Sequence, residues 1–163
     1  MQLTDLGKSI QAHLYESRGD LEEHPFFLAH PGVLSRLISK LTYCVRSAPV
    51  RYVAVDLSTA DDQESFKIAV YTDDHLFHLV YDPSVDHITT TIYARTDIQL
   101  VEVLSAPNFM DEDDASAAAV KISVSYPNTE VRLPGDNAAT DRNRNELDAF
   151  LPSLLRDLAH RGR

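Results

Sequence analysis

From Val50 to Leu133 the chain reads as a succession of short period-two segments separated by turn residues, a run that only an antiparallel sheet accommodates easily. Val53, Val55 and Leu57 alternate with Ala54 and Asp56. The acidic turn Thr59-Ala60-Asp61-Asp62-Gln63 then leads into Phe66, Ile68 and Val70, which alternate with Lys67, Ala69 and Tyr71. Thr72-Asp73-Asp74 makes the next turn, and Phe77, Leu79 and Tyr81 continue the inward face as far as Asp82-Pro83-Ser84. Strands joined so tightly are neighbours in a meander. A fourth strand is expected from about His87 to Ala94, with Thr89, Thr91 and Tyr93 on its solvated face, and a fifth from Ile98 to Leu104. The sixth turns Val120, Ile122, Val124 and Tyr126 to one side. After Pro127-Asn128 a short seventh holds Val131 and Leu133, and Pro134-Gly135-Asp136 ends the sheet.

Helical spacing flanks this stretch. Leu3, Leu6, Ile10 and Leu14 place an amphipathic helix over about residues 4–17, which Gly19 can end. The segment from His24 to Gly32 contains two His-Pro steps, so it is expected to be a connector whose Phe26, Phe27 and Leu28 pack onto the sheet. A second helix begins at Val33, with an apolar stripe of Val33, Leu34, Leu37, Ile38, Leu41 and Val45, and stops before Pro49. These two helices would cover the sheet or form a dimer interface. The last element carries Leu147, Phe150, Leu151, Leu154, Leu155 and Leu158 at helical spacing, with Asn143 and Glu146 as a capping box. Pro152 predicts a kink or a fresh start. The chain thus divides into an N-terminal helical segment, residues 1–48, and a sheet domain with its C-terminal helix, residues 49–163.

Composition narrows the functional classes. With 163 residues, 44% of them hydrophobic, the chain can bury its own core without a metal or disulfide. Cys44 is the only cysteine, which removes an intramolecular disulfide and a cysteine-built metal site. No apolar run approaches a bilayer span, and the start Met1-Gln2-Leu3-Thr4-Asp5 lacks the basic and apolar regions of a secretory signal, so a cytoplasmic protein is expected. A formal net charge of -10 argues against nucleic acid and anionic membrane surfaces as partners. Arg142, Arg144, Arg156, Arg161 and Arg163 are interleaved with Asp141, Glu146, Asp148 and Asp157, as on a solvated helix face.

No reaction chemistry announces itself. His75 and His78 lie three apart on a predicted strand and point to opposite faces, so they are not expected to share a metal ion. His13 and His160 fall on predicted helices, as surface or boundary residues. The loop from Ala106 to Asp114 concentrates Asp111, Glu112, Asp113 and Asp114 but lacks the glycine and the closing glutamate of a calcium loop. No Gly-x-Ser-x-Gly elbow or glycine-rich phosphate loop occurs. The sequence therefore names no catalytic residue, no metal ligand and no cofactor.

Seven short strands followed by one amphipathic helix resemble the pleckstrin-homology-like fold. The stretch from Arg95 to Val103 is similar to the turn into the fifth strand of bacterial members. Val131-Arg132-Leu133-Pro134-Gly135, with Glu146 to Leu158 beyond it, is similar to their final strand and capping helix. The resemblance implies an α+β fold, a bent seven-stranded antiparallel sheet or barrel with its open end plugged by the helix, and a non-catalytic scaffold that binds peptides, proteins or lipids. Phosphoinositide-binding members carry basic residues between strands one and two; Asp61, Asp62 and Glu64 stand there instead, against that activity. The expected function is a protein-interaction module that engages a partner protein or a second copy through a sheet edge or its helical appendage. The alternatives are a small apolar ligand held among Phe66, Tyr71, Phe77, Tyr81 and Tyr93, and an enzyme whose site is assembled from distant residues.

Overall fold

Four strands, β1 (Tyr52–Asp56), β2 (Lys67–Tyr71), β3 (His75–Asp82) and β4 (His87–Ala94), form the central sheet in the order β1-β2-β3-β4. The computed structural model describes residues 3–57, 65–107 and 120–161. All pairings are antiparallel, with Tyr52 opposite Tyr71, Tyr71 opposite Leu76 and Leu76 opposite Tyr93. The next three strands, β5 (Leu100–Ser105), β6 (Lys121–Tyr126) and β7 (Thr129–Leu133), make a second antiparallel sheet in the order β5-β6-β7. The class is α+β, as expected, but the expected single seven-stranded sheet is replaced by two sheets that do not close into a barrel.

The chain leaves the central sheet at Arg95. The Arg95 backbone N–H makes the last bond of the β3–β4 pairing, to the Asp74 carbonyl at 2.8 Å, and the chain then enters a 3-10 turn, Arg95–Asp97. The side chain goes inward, with the guanidinium donating to the Thr72 carbonyl at 3.0 Å and Ser153 Oγ at 2.7 Å and pairing with Asp157. β4 ends because the 3-10 turn carries the backbone out of the sheet, and these contacts anchor the turn against α4 (Asp141–Ala159).

Both faces of β1, β2 and β3 are buried, whereas β4 is covered mainly at Ile88. Val53, Val55, Ile68, Val70, Phe77, Leu79 and Ile88 meet Ile10 and Leu14 of α1 (Leu3–Ser17), Phe26 and Phe27 of α2 (Pro25–Ala29), and Leu37 and Leu41 of α3 (Val33–Val45). On the opposite face Tyr52, Ala54, Ala69, Tyr71 and Leu76 meet Ile122, Val124, Val131 and Leu133 of the second sheet, and Leu147, Phe150 and Leu154 of α4 (Asp141–Ala159). The N-terminal helices thus spend their apolar stripes on the sheet, each large aliphatic side chain contributing about 1.5–3 kcal/mol. Among the described residues no helix is long and apolar enough to cross a membrane.

The helix boundaries follow local chemistry. His24 is extended (φ -64, ψ 132) ahead of Pro25, as a pre-proline residue should be, yet its Nδ1 accepts from Phe26 N at 3.2 Å and so starts the short α2 inside the expected connector. Leu28, expected on the sheet, is exposed instead. α4 begins three residues earlier than the capping-box reading, because Thr140 is the N-cap, its Oγ1 accepting from Asn143 N at 3.1 Å. Thr140 also donates to the Glu16 carbonyl at 2.5 Å, which ties the end of α1 to the start of α4. Pro152 lies inside a continuous α4, which neither stops nor restarts there. Arg142 pairs with Glu16 and Glu146, while Arg144 reaches carbonyls of the preceding loop and Arg161 the Gln99 carbonyl, so these arginines serve as surface fasteners.

Candidate functional site

Strand edges carry peptide groups that pair with something or stay open, and here they differ sharply. At β1 the Val53 carbonyl accepts from Asn143 Nδ2 at 2.8 Å, the Val55 carbonyl from Asp136 N at 3.4 Å, and Leu57 N donates to Asp136 Oδ2 at 3.0 Å. At the start of β4, Arg36 donates to the Asp86 carbonyl at 3.3 Å and Lys40 to the Ile88 carbonyl. Helix and loop side chains therefore cap these edges.

β7 is different. It follows β6 through the two-residue turn Pro127-Asn128, with Asn128 at φ 65, and Tyr126 lies opposite Thr129. A two-residue turn makes that closing pair hydrogen-bonded, and alternation extends the bonding to Val124 with Val131 and Ile122 with Leu133. The Ser125 carbonyl supports this phase, since it faces β5 and accepts from Gln99 N at 2.7 Å. The peptide groups of Glu130 and Arg132 consequently point away from β6, toward the free edge. By the same alternation Val101 and Val103 present theirs at the edge of β5, beside exposed Leu100 and Leu104.

The β7 edge opens on a cleft of about 340 Å³, lined by Ala54, Asp56, Lys67, Ile68, Ala69, His78, Glu130, Val131, Arg132 and Gly135. Its floor is a row of the central sheet in which Ala54 faces Ala69 and Ala69 faces His78. Two methyl groups in neighbouring strands leave the space. Asp56 and Lys67, also cross-strand neighbours, stand beside it. One end closes where Gly135 bridges Val55. A Cβ on Gly135 would lie 2.4 Å from the Val55 oxygen at a backbone φ of +112, so this approach requires glycine.

His78 gives the cleft its chemical character. It is buried, and its Nδ1 lies 3.5 Å from Thr129 Oγ1. Burial first, and then the Lys67 ammonium, push its pKa down to about 4, so the ring is neutral at neutral pH and offers one donor and one acceptor. Hydrogen bonds from Ser123 and Arg132 hold the Glu130 carboxyl below its ordinary range. The site therefore joins an uncharged imidazole, two backbone positions that have no partner among the described residues, and a mixed-sign rim.

The residues singled out in the sequence go elsewhere. Phe66, Phe77 and Tyr81 pack among the helices, with Phe66 stacked on Tyr81 at 5.4 Å, whereas Tyr71 and Tyr93 lie on the opposite face, so the five do not line one cavity. The hydroxyls of Tyr71 and Tyr126 are turned toward each other without closing a well-formed hydrogen bond. His75 and His78 do take opposite faces of β3, one exposed and one buried. Cys44 is half-buried, and His13 and His160 are on or near helix surfaces. Asp61, Asp62 and Glu64 and the acidic run Asp111, Glu112, Asp113 and Asp114 lie outside the described residues. Among the described residues no group of three or more His, Cys, Asp or Glu side chains is placed to hold a metal ion. The cleft residues themselves come from four separate segments, and the only hint of them in the sequence is the pair of alanines in strands whose other positions are mostly large. The chain matches no family model, and no curated protein or solved structure shows significant similarity to it.

Proposed function

We propose that this protein is a non-enzymatic interaction module that receives an extended segment of a partner polypeptide along the free edge of β7. The observation that carries the reading is the contrast between edges: side chains answer the outward peptide groups of β1 and of the start of β4, while those of Glu130 and Arg132 open onto a cleft. An added strand gains backbone hydrogen bonds from a receiving sheet that need not rearrange. The small floor of Ala54 and Ala69 supports an occupant as slender as a single strand; a second copy of the chain, bringing its own covering layers, fits a space of about 340 Å³ poorly. A histidine held near pKa 4 is a weak base at neutral pH, which favours a binding role for His78 over a catalytic one. A pleckstrin-homology-like ancestry belongs to the same proposal. What supports it is the sequence of four strands, three strands and a C-terminal helix, to which α1, α2 and α3 would be an addition.

Selection of a random displayed-peptide library on the full chain, with Glu130→Pro as counter-target, tests the reading. The Glu130 N–H faces the cleft, so proline there leaves the β6–β7 ladder whole. Enriched peptides should bind the Glu130→Pro protein at least tenfold more weakly, with little change in its urea midpoint. If nothing is enriched, or if the peptides bind both proteins alike, the β7 edge is not a receiving site.

A further inference from the structure

Resting on that reading, the side chains along β7 specify what kind of segment fits. Thr129, Val131 and Leu133 share one face of the strand, and Val131 and Leu133 are buried against the central sheet. Glu130 and Arg132 are on the other face, with side chains 54% and 69% exposed, and so remain reachable by an added strand. They bear opposite charges two residues apart and hold each other loosely, Arg132 Nε donating to Glu130 Oε1 at 3.4 Å.

An incoming strand that continues the antiparallel sense of β5-β6-β7, the more stable pairing per residue, sets one residue opposite Arg132, the next opposite Val131 and the next opposite Glu130. The first and third project to the solvated face beside a cation and an anion. The middle one projects inward, as Val131 does, over Ala54, Ala69 and the neutral ring of His78, where an unpaired charge would be costly and a branched apolar side chain fills space. We infer that the β7 cleft recognises an extended peptide carrying, from its N-terminal side, an acidic, an apolar and a basic residue in succession, added antiparallel to β7.

The experiment uses the full chain, isotopically labelled, and two short capped peptides of β-forming residues. One has aspartate–valine–lysine at its centre, the other lysine–valine–aspartate. Amide NMR shifts at Glu130 and Arg132 report binding, and the first peptide should bind roughly threefold to tenfold more tightly, the effect of two exposed cross-strand charge pairs. Glu130→Lys combined with Arg132→Glu, both at exposed positions, should invert the preference. Equal binding of both peptides at the β7 edge, or a wild-type preference for the reversed order, overturns the charge register or the antiparallel sense while leaving β7 a strand-receiving edge. If neither peptide shifts the β7 amides, the strand-receiving reading falls with it.

Discussion

Asn143 carries two hydrogen bonds out of reach of water. Its Oδ1 accepts from Tyr52 Oη at 2.9 Å and its Nδ2 donates to the Val53 carbonyl at 2.8 Å, with 1% of the residue exposed. Asn143→Ala would strand both partners in the interior, and a loss of about 2–4 kcal/mol is expected in urea denaturation. The sequence alone placed this asparagine at a helix cap, because the residue types that cap helices also satisfy buried backbone, and only the fold separates the two uses. His78 makes a second prediction at this scale. Its folded pKa, about 4, lies below the ordinary value of 6.5, so protons bind preferentially to the unfolded chain. Its contribution is therefore fully present above about pH 6.5 and is lost as pH falls toward 4, by up to roughly 3 kcal/mol. Asp20, Asp73 and Asp86, held below their usual range by Arg18, Arg51 and Arg36, add their losses only at lower pH. Denaturation measured between pH 7 and pH 4.5 should show the decline in the native protein and a much flatter profile in His78→Leu.

At the level of elements, α4 carries a defect that can be removed. Pro152 is exposed and lies inside the helix, where it has no N–H to offer the Asp148 carbonyl. Pro152→Ala should raise the stability by about 2 kcal/mol, most of the helical cost of proline less the entropy that alanine restores to the unfolded chain; the melting temperature by circular dichroism checks it. Strands were legible because turn residues punctuate them and alternation phases them: β2 was expected at residues 66–71 and spans Lys67–Tyr71. The double burial of β1, β2 and β3 was less so. In β1 the positions alternating with Val53 and Val55 are Tyr52, Ala54 and Asp56, a mixture that reads as a solvated face until α4 and the second sheet are seen to cover Tyr52 and Ala54. A turn between Ala94 and Ile98 was expected, but not that β4 and β5 would belong to separate sheets. The burial of Arg95 was hidden as well, since an arginine is ordinarily taken for surface. Beyond the small side chains of Ala54 and Ala69 the cleft left no trace in the sequence, since it exists only where β7 passes over a row of β1, β2 and β3.

The whole molecule is two cores with one sheet between them. Val53 and Val70 serve the helical side, Ala54 and Ala69 the other, within the same two strands. Removing residues 1–48 would expose one entire face of that sheet, and the remainder is expected to lose its cooperative thermal transition and to elute as aggregate in gel filtration rather than as a small folded protein. The same arrangement constrains the order in which the chain can acquire its shape. The ribosome delivers α1, α2 and α3 first and the central strands next, so the helical side of the sheet can be covered early. Its other side must wait for β6, β7 and finally α4, the last of these elements to emerge, and until Thr140 reaches Glu16 the half-made protein presents an uncovered apolar wall to the cell.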